Sequence, residues 1–324
     1  MREKNFSIIT PSYNSFSLMN KYFETLERQT YKNFEIIIVD DCSTDDSYSK
    51  IEEYKNNSNL DIKILKNKKN NGPGECRNYG IKEAKGKWVT FIDSDDYVDE
   101  NLLERVNEIV TESDIDCVVY DYYIKKDNVL HYSNSIYGNG KSGIMNTRET
   151  ISKIRNHAAC KFYKLEILKK NNIYFPDIRK HEDVAFVPIT ISYCKKIYYL
   201  KEALYYYVQR EKSVSNDNVQ NNTLLLAFEI LKERLGREYE KEIKEKSITD
   251  LLYGSCFIMC KNKKNKSEII EFIKKYEKDF YLEWAKSKLI GQLNYSKRLF
   301  LFAIRYRCIT FMKIYTYIHS KVLN

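Results

Sequence analysis

The 324-residue chain is poor in the residues that punctuate or cross-link a fold, holding only 10 glycines, 4 prolines and 4 histidines. The histidines, at 131, 157, 181 and 319, have no metal-ligand spacing, which argues against a structural zinc site. Eight cysteines are scattered along the chain, and the one close pair, Cys256 and Cys260, has helical i,i+4 spacing with no second pair to match it. That is not a disulfide framework. Met1 to Asn5 lead straight into a strand pattern and do not read as an export signal, so reduced thiols in a cytoplasmic protein are expected. No uncharged run reaches the length of a spanning helix, and no repeat of solenoid period is visible. Tyrosine, by contrast, is abundant at 28 residues. Together with the many Lys, Asn and Ile, we read this as a compositional bias of the source.

What is present starts with 43% apolar residues, enough to fill a real core. The net charge of +9 is unevenly placed. Residues 284–324 carry eight Lys or Arg (Lys286, Lys288, Lys297, Arg298, Arg305, Arg307, Lys313, Lys321) and no Asp or Glu, leaving +1 for residues 1–283. The basic character belongs to the tail.

The first 125 residues alternate between strand and helix patterns. Strands are expected at 6–10, 34–39, 62–65, 88–92 and 116–124, with helices at 18–29, 45–55, 75–85 and 100–110. Phe34–Val39 is an almost unbroken apolar run, as in a strand buried on both faces. Such alternation implies βαβ units and a mainly parallel sheet. Later the regularity fades. Residues 134–146, with Gly138, Gly140 and Gly143, read as a loop. Strands are expected at 158–162, 197–200 and 205–208, with a helix at 183–193. From Asn222 the pattern is wholly helical, which sets an expected boundary between domains 1–217 and 218–324.

Two of the buried strands run into acids: Phe34–Val39 into Asp40-Asp41, and Trp88–Ile92 into Asp93-Ser94-Asp95-Asp96. In an open α/β sheet, ligands bind beyond the carboxyl ends of strands. Carboxylates there supply hard oxygen ligands for a divalent cation, which in turn can hold a phosphate. Asp93 and Asp95, at i,i+2 on extended chain, would point the same way. A helix-capping role fits Ser43, Thr44, Asp45 or Asp99 but does not explain the paired acids before them. Tyr13, just past the first strand, fits base stacking or simple packing. Arg77, in the first turns of the helix opened by Gly72-Pro73-Gly74, fits an anionic ligand or an ordinary pair with Glu75 or another nearby acid. Glu182-Asp183 at a helix start complements the helix dipole, and either would serve as a general base if it faced the acid site.

Taken in order, Ile9-Thr10-Pro11-Ser12-Tyr13-Asn14, Gln29-Thr30-Tyr31-Lys32-Asn33-Phe34-Glu35, Val39-Asp40-Asp41 with Ser43 and Asp45, Gly72-Pro73 with Arg77-Asn78, and Phe91-Ile92-Asp93-Ser94-Asp95-Asp96 resemble a family 2 glycosyltransferase of bacterial surface-polysaccharide type. The series is dense over residues 5–100. It continues sparsely through Lys161-Phe162, Glu182-Asp183 and Tyr205–Arg210 with Ser213. The resemblance implies a GT-A, Rossmann-like sheet flanked by helices, with a helical C-terminal extension. It also implies an inverting, metal-dependent transfer from a nucleotide sugar, UDP-linked, to a glycan or lipid-linked acceptor. By position, Pro11, Tyr13 and Asp41 would hold the base, and Arg77 would lie near the nucleotide and diphosphate. Asp93, Ser94 and Asp95 would form the DxD element with its Mn²⁺ or Mg²⁺, Asp95 the more direct ligand and Asp96 close to the sugar. Asp183 would be the catalytic base, with Glu182 beside it.

A sugar-1-phosphate nucleotidylyltransferase is the rival enzyme, but it wants a Gly-rich, Lys- and Arg-bearing first loop that Thr10–Asn14 lacks. A non-catalytic nucleotide-sugar-binding or membrane-scaffold protein is the other alternative. For the tail, Leu299–Ile318 interleaves apolar residues with Arg305, Arg307 and Lys313. It reads either as a basic amphipathic helix in an anionic membrane interface or as a helix packed on the protein or on a second subunit of a homo-oligomer. The expected lipid-linked acceptor favours a peripheral place on the inner membrane face. No recognisable nucleic-acid module accompanies the charge.

Overall fold

The first four strands, β1 (Phe6–Ser12), β2 (Phe34–Asp40), β3 (Ile62–Lys66) and β4 (Trp88–Phe91), run parallel in the order β3-β2-β1-β4. They come from a computed structural model of the chain that describes residues 4–127, 129–138, 140–210 and 221–322. Every residue of β2 is buried, as its apolar run requires. Helices α1 (Asn20–Glu27), α2 (Ser47–Asn57) and α3 (Pro73–Glu83) make the crossovers.

Beyond β4 the sheet is mixed. In chain order follow β5 (Tyr97–Val98), α4 (Leu102–Glu112), β6 (Cys117–Lys126), β7 (Val129–Ser133), β8 (Gly143–Met145), α5 (Thr147–Lys153), β9 (Lys161–Lys164), α6 (Leu165–Lys170), α7 (Glu182–Ser192) and β10 (Ile197–Val208). β9 lies antiparallel between β4 and β6, β10 is parallel to β6, and β5, β7 and β8 pair antiparallel to their neighbours. The α/β sheet flanked by helices is as expected. Its parallel order holds for β1 to β4, which helical crossovers join, and for β10 on β6, while the hairpin partner β7 pairs antiparallel to β6. The two strands expected at 197–200 and 205–208 are one strand, β10, whose register with β6 shifts between Leu200, Ala203 and Tyr205. The expected loop at 134–146 contributes β8, and the strand expected at 158–162 starts at Lys161.

Alternation along the strands gives the sheet two distinct faces. On one, Ile8, Ile36, Trp88, Tyr120 and Phe162 pack with Tyr22, Phe23 and Leu26 of α1 and with Leu102, Leu103 and Val106 of α4. On the other lie α3 and α7. Gly80 of α3 sits so close to Ile9 that a Cβ there would come within 2.4 Å of it, so any larger residue would lift the helix off β1. Phe186 of α7 meets Phe91 of β4 and Tyr163 of β9 edge-on, at 5.9 and 5.7 Å between centroids.

Contacts divide the chain into two units, Met1–Thr150 with Ile154–Asn216, and Ile151–Lys153 with Asp217–Asn324. The expected boundary at 217 and Ser213 both fall at 211–220, outside the described residues. The second unit is helical: α8 (Asn221–Leu235), α9 (Glu240–Ser247), a π-helical stretch (Ile248–Tyr253), α10 (Gly254–Lys261), α11 (Lys266–Asp279), α12 (Leu289–Gln292), α13 (Tyr295–Arg305) and α14 (Ile309–Val322). The amphipathic run expected over 299–318 is broken in two at Arg307, which takes a left-handed φ of 55°. The break is anchored by an ion pair from Arg307 to Glu277 of α11 at 2.6 Å. Phe300, Leu301, Ile304 and Met312 are buried on the inner sides of these helices, whereas Tyr295, Phe302 and Tyr317 are 77%, 59% and 63% exposed.

Candidate active site

The carboxyl ends of β1, β2 and β4 bring most of the sequence-predicted residues to one edge of the sheet. Pro11 is in β1, opposite Val39, and Tyr13 stands half-exposed just beyond the strand. Asn14, at a left-handed φ of 48°, ties this end to the turn after β2: its amide donates to Ser43 Oγ at 3.0 Å, and its Oδ1 accepts from Thr44 N at 2.9 Å. Asp40 and Asp41 are both buried. Asp40 Oδ2 accepts from Ser43 N at 3.0 Å and so shapes its own turn. Asp41 reaches the other way, accepting from Asn67 Nδ2 at 2.8 Å, Asn71 N at 3.0 Å and Gly72 N at 2.7 Å. Its carboxylate thereby fixes the turn that opens α3, where Gly72 adopts φ of +88°.

That turn aims Arg77. Its guanidinium is buried and bridges two acids, with Nη2 on Asp93 Oδ1 at 2.8 Å and Nη1 on Glu182 Oε1 at 2.7 Å. The Phe175 ring lies beneath it at 5.4 Å. Burial works against the charge, but Asp93 and Glu182 outweigh it and hold the guanidinium firmly protonated. Arg77 is therefore not the surface residue paired with Glu75 that its motif alone allowed; Glu75 contacts Asn78 instead.

Residues 93–96 turn, with Asp96 N donating to Asp93 O at 3.1 Å, and do not run extended as the i,i+2 reading assumed. β4 ends at Phe91, and the turn separates the acids by environment. Asp93 faces Arg77, and Asp95 pairs with Arg210 just beyond β10. Ser94 is buried in the turn. Asp96 is buried against β10, accepting from Tyr205 Oη at 2.6 Å and Val208 N at 2.7 Å. Burial and the charge of Asp93 push its carboxyl up to about 8. Tyr205 Oη also receives Asp93 N at 3.3 Å, so one hydroxyl spans the turn.

The third element enters from α7. His181 caps it in a left-handed conformation, φ 64°, which places Glu182 and Asp183 in the first turn. Glu182 is buried against Arg77. Asp183 is pushed up to about 7, first by burial and then by the charge of Glu182, against the pull of Arg77 and Lys161. Lys161 is itself buried, with Nζ donating to the carbonyls of His157 and Ala159 at 2.7 and 3.2 Å. The geometry thus unites Asp93, Arg77, Glu182 and Asp183 and joins Asp95 and Asp96 to β10. Pro11 and Tyr13 stand at the end of β1, beside the turn that Asp40 shapes. Sequence reasoning gave no role to Arg210, Tyr205 or Asn67. For the first two, the signal was the Tyr205–Arg210 run, whose alternation is disguised by the register shift before it.

Residues 7–171 match the family described as Glycosyl transferase family 2. The chain belongs to glycosyl transferase family 2. Among similar members, the poly(ribitol-phosphate) beta-N-acetylglucosaminyltransferase TarS of Staphylococcus aureus is 29% identical over 248 residues, covering 74% of this chain and 42% of TarS. Glycosyltransferase GlyG of Streptococcus pneumoniae is 30% identical over 218 residues, covering 64% of this chain and 72% of GlyG. The chain thus spans less than half the length of TarS. In three dimensions, TarS residues 1–349 in complex with UDP-GlcNAc superpose with a TM-score of 0.73 at 22% identity, covering 98% of this chain and 92% of that one. The chain therefore shares the fold of TarS residues 1–349, helical C-terminal region included. No helix among its described residues is long and apolar enough to cross a membrane.

Proposed function

We propose that the protein moves a sugar, with inversion, from a UDP-linked donor to a hydroxyl of a surface glycan or polyol-phosphate chain. The observation that carries this reading is the Arg77 bridge, which makes the acid turn after β4 and the Glu182-Asp183 corner of α7 a single cluster. TarS, crystallised with UDP and with UDP-GlcNAc, supports the donor class, and its name supports the acceptor class.

Pro11, Tyr13 and Asp41 rim the nucleotide side, and Arg77 stands where charge grows on the departing diphosphate. Asp93 and Asp95, with Ser94 between them, would hold Mn²⁺ or Mg²⁺. Among the described residues no three His, Cys, Asp or Glu side chains gather to cage an ion. Two carboxylates beside a diphosphate nonetheless suit a hard cation that keeps substrate phosphates in its shell. Such an ion, when bound, would neutralise the leaving group. Asp183, titrating near neutrality, takes the acceptor proton. Glu182 is held by Arg77 and positions rather than abstracts. Asp96, held by Tyr205 and Val208, braces the acid turn on the sugar side.

The same reading gives the tail a membrane role. Tyr295, Phe302 and Tyr317 are exposed among bases with no acid between 284 and 324, the composition of a helix pair resting on anionic lipid.

The test is turnover of UDP-GlcNAc with Mn²⁺ and poly(ribitol phosphate), with the product's anomeric configuration read by NMR. Asp183→Asn should lower kcat by about 10²- to 10⁴-fold while sparing UDP-GlcNAc affinity. Retention of configuration, an active Asp183→Asn variant, or pyrophosphate-dependent release of a nucleoside triphosphate would overturn the reading.

A further inference from the structure

We propose that the acceptor chain lies along a row of four tyrosines, Tyr132, Tyr123, Tyr206 and Tyr97, and this rests on the transferase reading above. The four occupy one register line across β7, β6, β10 and β5: Tyr132 pairs with Tyr123, Tyr123 with Tyr206, and Tyr206 with Tyr97. Their rings touch in sequence. Tyr132 meets Tyr123 edge-on at 5.9 Å, Tyr123 stacks on Tyr206 at 5.4 Å, and Tyr206 stacks on Tyr97 at 4.6 Å and 9°. With strands about 4.8 Å apart, the row runs about 14 Å, the reach of a short oligosaccharide.

Its place on the sheet ties it to the chemistry. Tyr163 of β9 packs on Phe186 of α7 and is in register with Cys117 of β6. Counting by twos from Cys117 along β6 reaches Val119, Asp121 and Tyr123, so the row lies on the face that carries α7 and hence Asp183. Both Tyr206 and Tyr97 adjoin the acid turn: Tyr97 follows Asp96, and Tyr206 follows Tyr205, which donates to Asp96. Tyr205 and Tyr206 point to opposite faces, one to the acid and one to the row.

Aromatic pairs across strands stabilise sheets on their own account. Four features go beyond that. None of the four rings is buried, and Tyr132 is 47% exposed. No hydrogen bond among the described residues engages the hydroxyl of Tyr97, Tyr123 or Tyr206, so three donors are available to a polyhydroxylated ligand. The outer end is rigid, because Asp121 takes the hydroxyls of both Tyr132 and Tyr199, the latter at 2.7 Å, and the amide of Ser135 at 2.8 Å. Lys125, on the same face two residues past Tyr123, lies over Tyr97 at 5.4 Å and offers a cation to a phosphate-bearing chain. Amphipathic rings in a fixed row, bordered by one cation and leading to a general base, fit the C–H faces and hydroxyls of a carbohydrate chain better than a protein surface.

The experiment measures binding of full-length protein to poly(ribitol phosphate) and to a β-linked hexose oligosaccharide by affinity electrophoresis, alongside UDP release from UDP-GlcNAc without acceptor. Tyr206→Ala and Tyr123→Ala should each weaken glycan binding about three- to tenfold. Tyr206→Phe should bind almost as the wild type does, and UDP release should be unchanged in all three. The proposal is overturned if the alanine variants bind normally, if they lose UDP release together with binding, or if neither probe binds the wild type. Failure of the transferase reading looks different: the wild type would bind glycan through the row yet release no UDP.

Discussion

The two units handle charge in opposite ways. In the sheet unit the acids of the candidate site are buried or half-buried and each is answered: Asp93 and Glu182 by Arg77, Asp95 by Arg210, Asp96 by a tyrosine hydroxyl and a backbone amide. In the helical unit the last two helices are studded with bases, and the segment from 284 onward has no acid of its own. Arg307 finds its one ion pair there among the described residues with Glu277 of α11. A buried charge is tolerable only when paired, and the pairing freezes its geometry, as a reaction site requires. Exposed like charges repel weakly and stay available to an outside partner.

The largest break in this contrast comes from Arg77. Arg77→Ala leaves Asp93 and Glu182 facing each other with no cation, and should destabilise the protein by about 3–5 kcal/mol as well as abolish turnover. Arg77→Lys restores the charge but not the fork, so it should recover stability better than activity. Denaturant melts beside UDP-release assays separate the two.

A smaller effect is expected from pH. Asp183 near 7 and Asp96 near 8 both sit above their unfolded value of 3.8, so the folded state holds more protons than the unfolded state between those limits. Their contribution to stability is therefore present at low pH and lost as pH rises through 7 to 8. Asp96→Asn should flatten part of that decline in thermal melts taken from pH 5 to 9. Activity moves the other way, rising as Asp183 loses its proton through about 7.

The smallest effect on the fold should come from the tail. Phe302→Ser with Arg305→Gln alters exposed positions only, so stability should move within about 0.5 kcal/mol. Flotation with anionic vesicles should nonetheless drop, and wild-type flotation should weaken as salt is added. Wild-type flotation that ignores lipid charge would remove the membrane role and leave the contrast between units a matter of solubility.

The β/α alternation was legible because burial on both faces leaves unbroken apolar runs such as Phe34–Val39, and the acids at strand ends were legible because nothing in a core explains them. The pairing of Arg77 with two acids, one of them 105 residues away, was not, since it depends on α3 and α7 meeting on one sheet face. Residues 93–96 were misread as extended because alternation alone does not reveal where a strand stops. The break at Arg307 escaped notice for a related reason. The break is tied to a carboxylate 30 positions upstream and has no proline or glycine in the segment itself to mark it.

The register shift in β10 has one more consequence. Five steps along β10 from Leu200 to Tyr205 match two along β6 from Tyr120 to Tyr122, and this odd surplus decides which tyrosine faces the acid and which faces the row. Deleting Leu204 would slide the tyrosines by one place, bringing Tyr206 to the acid and Tyr207 to the row. Chain length between Leu200 and Tyr205 therefore works as an index: losing one residue here should put a different tyrosine at the acid and another in the row, whereas a tolerant surface loop would absorb the change.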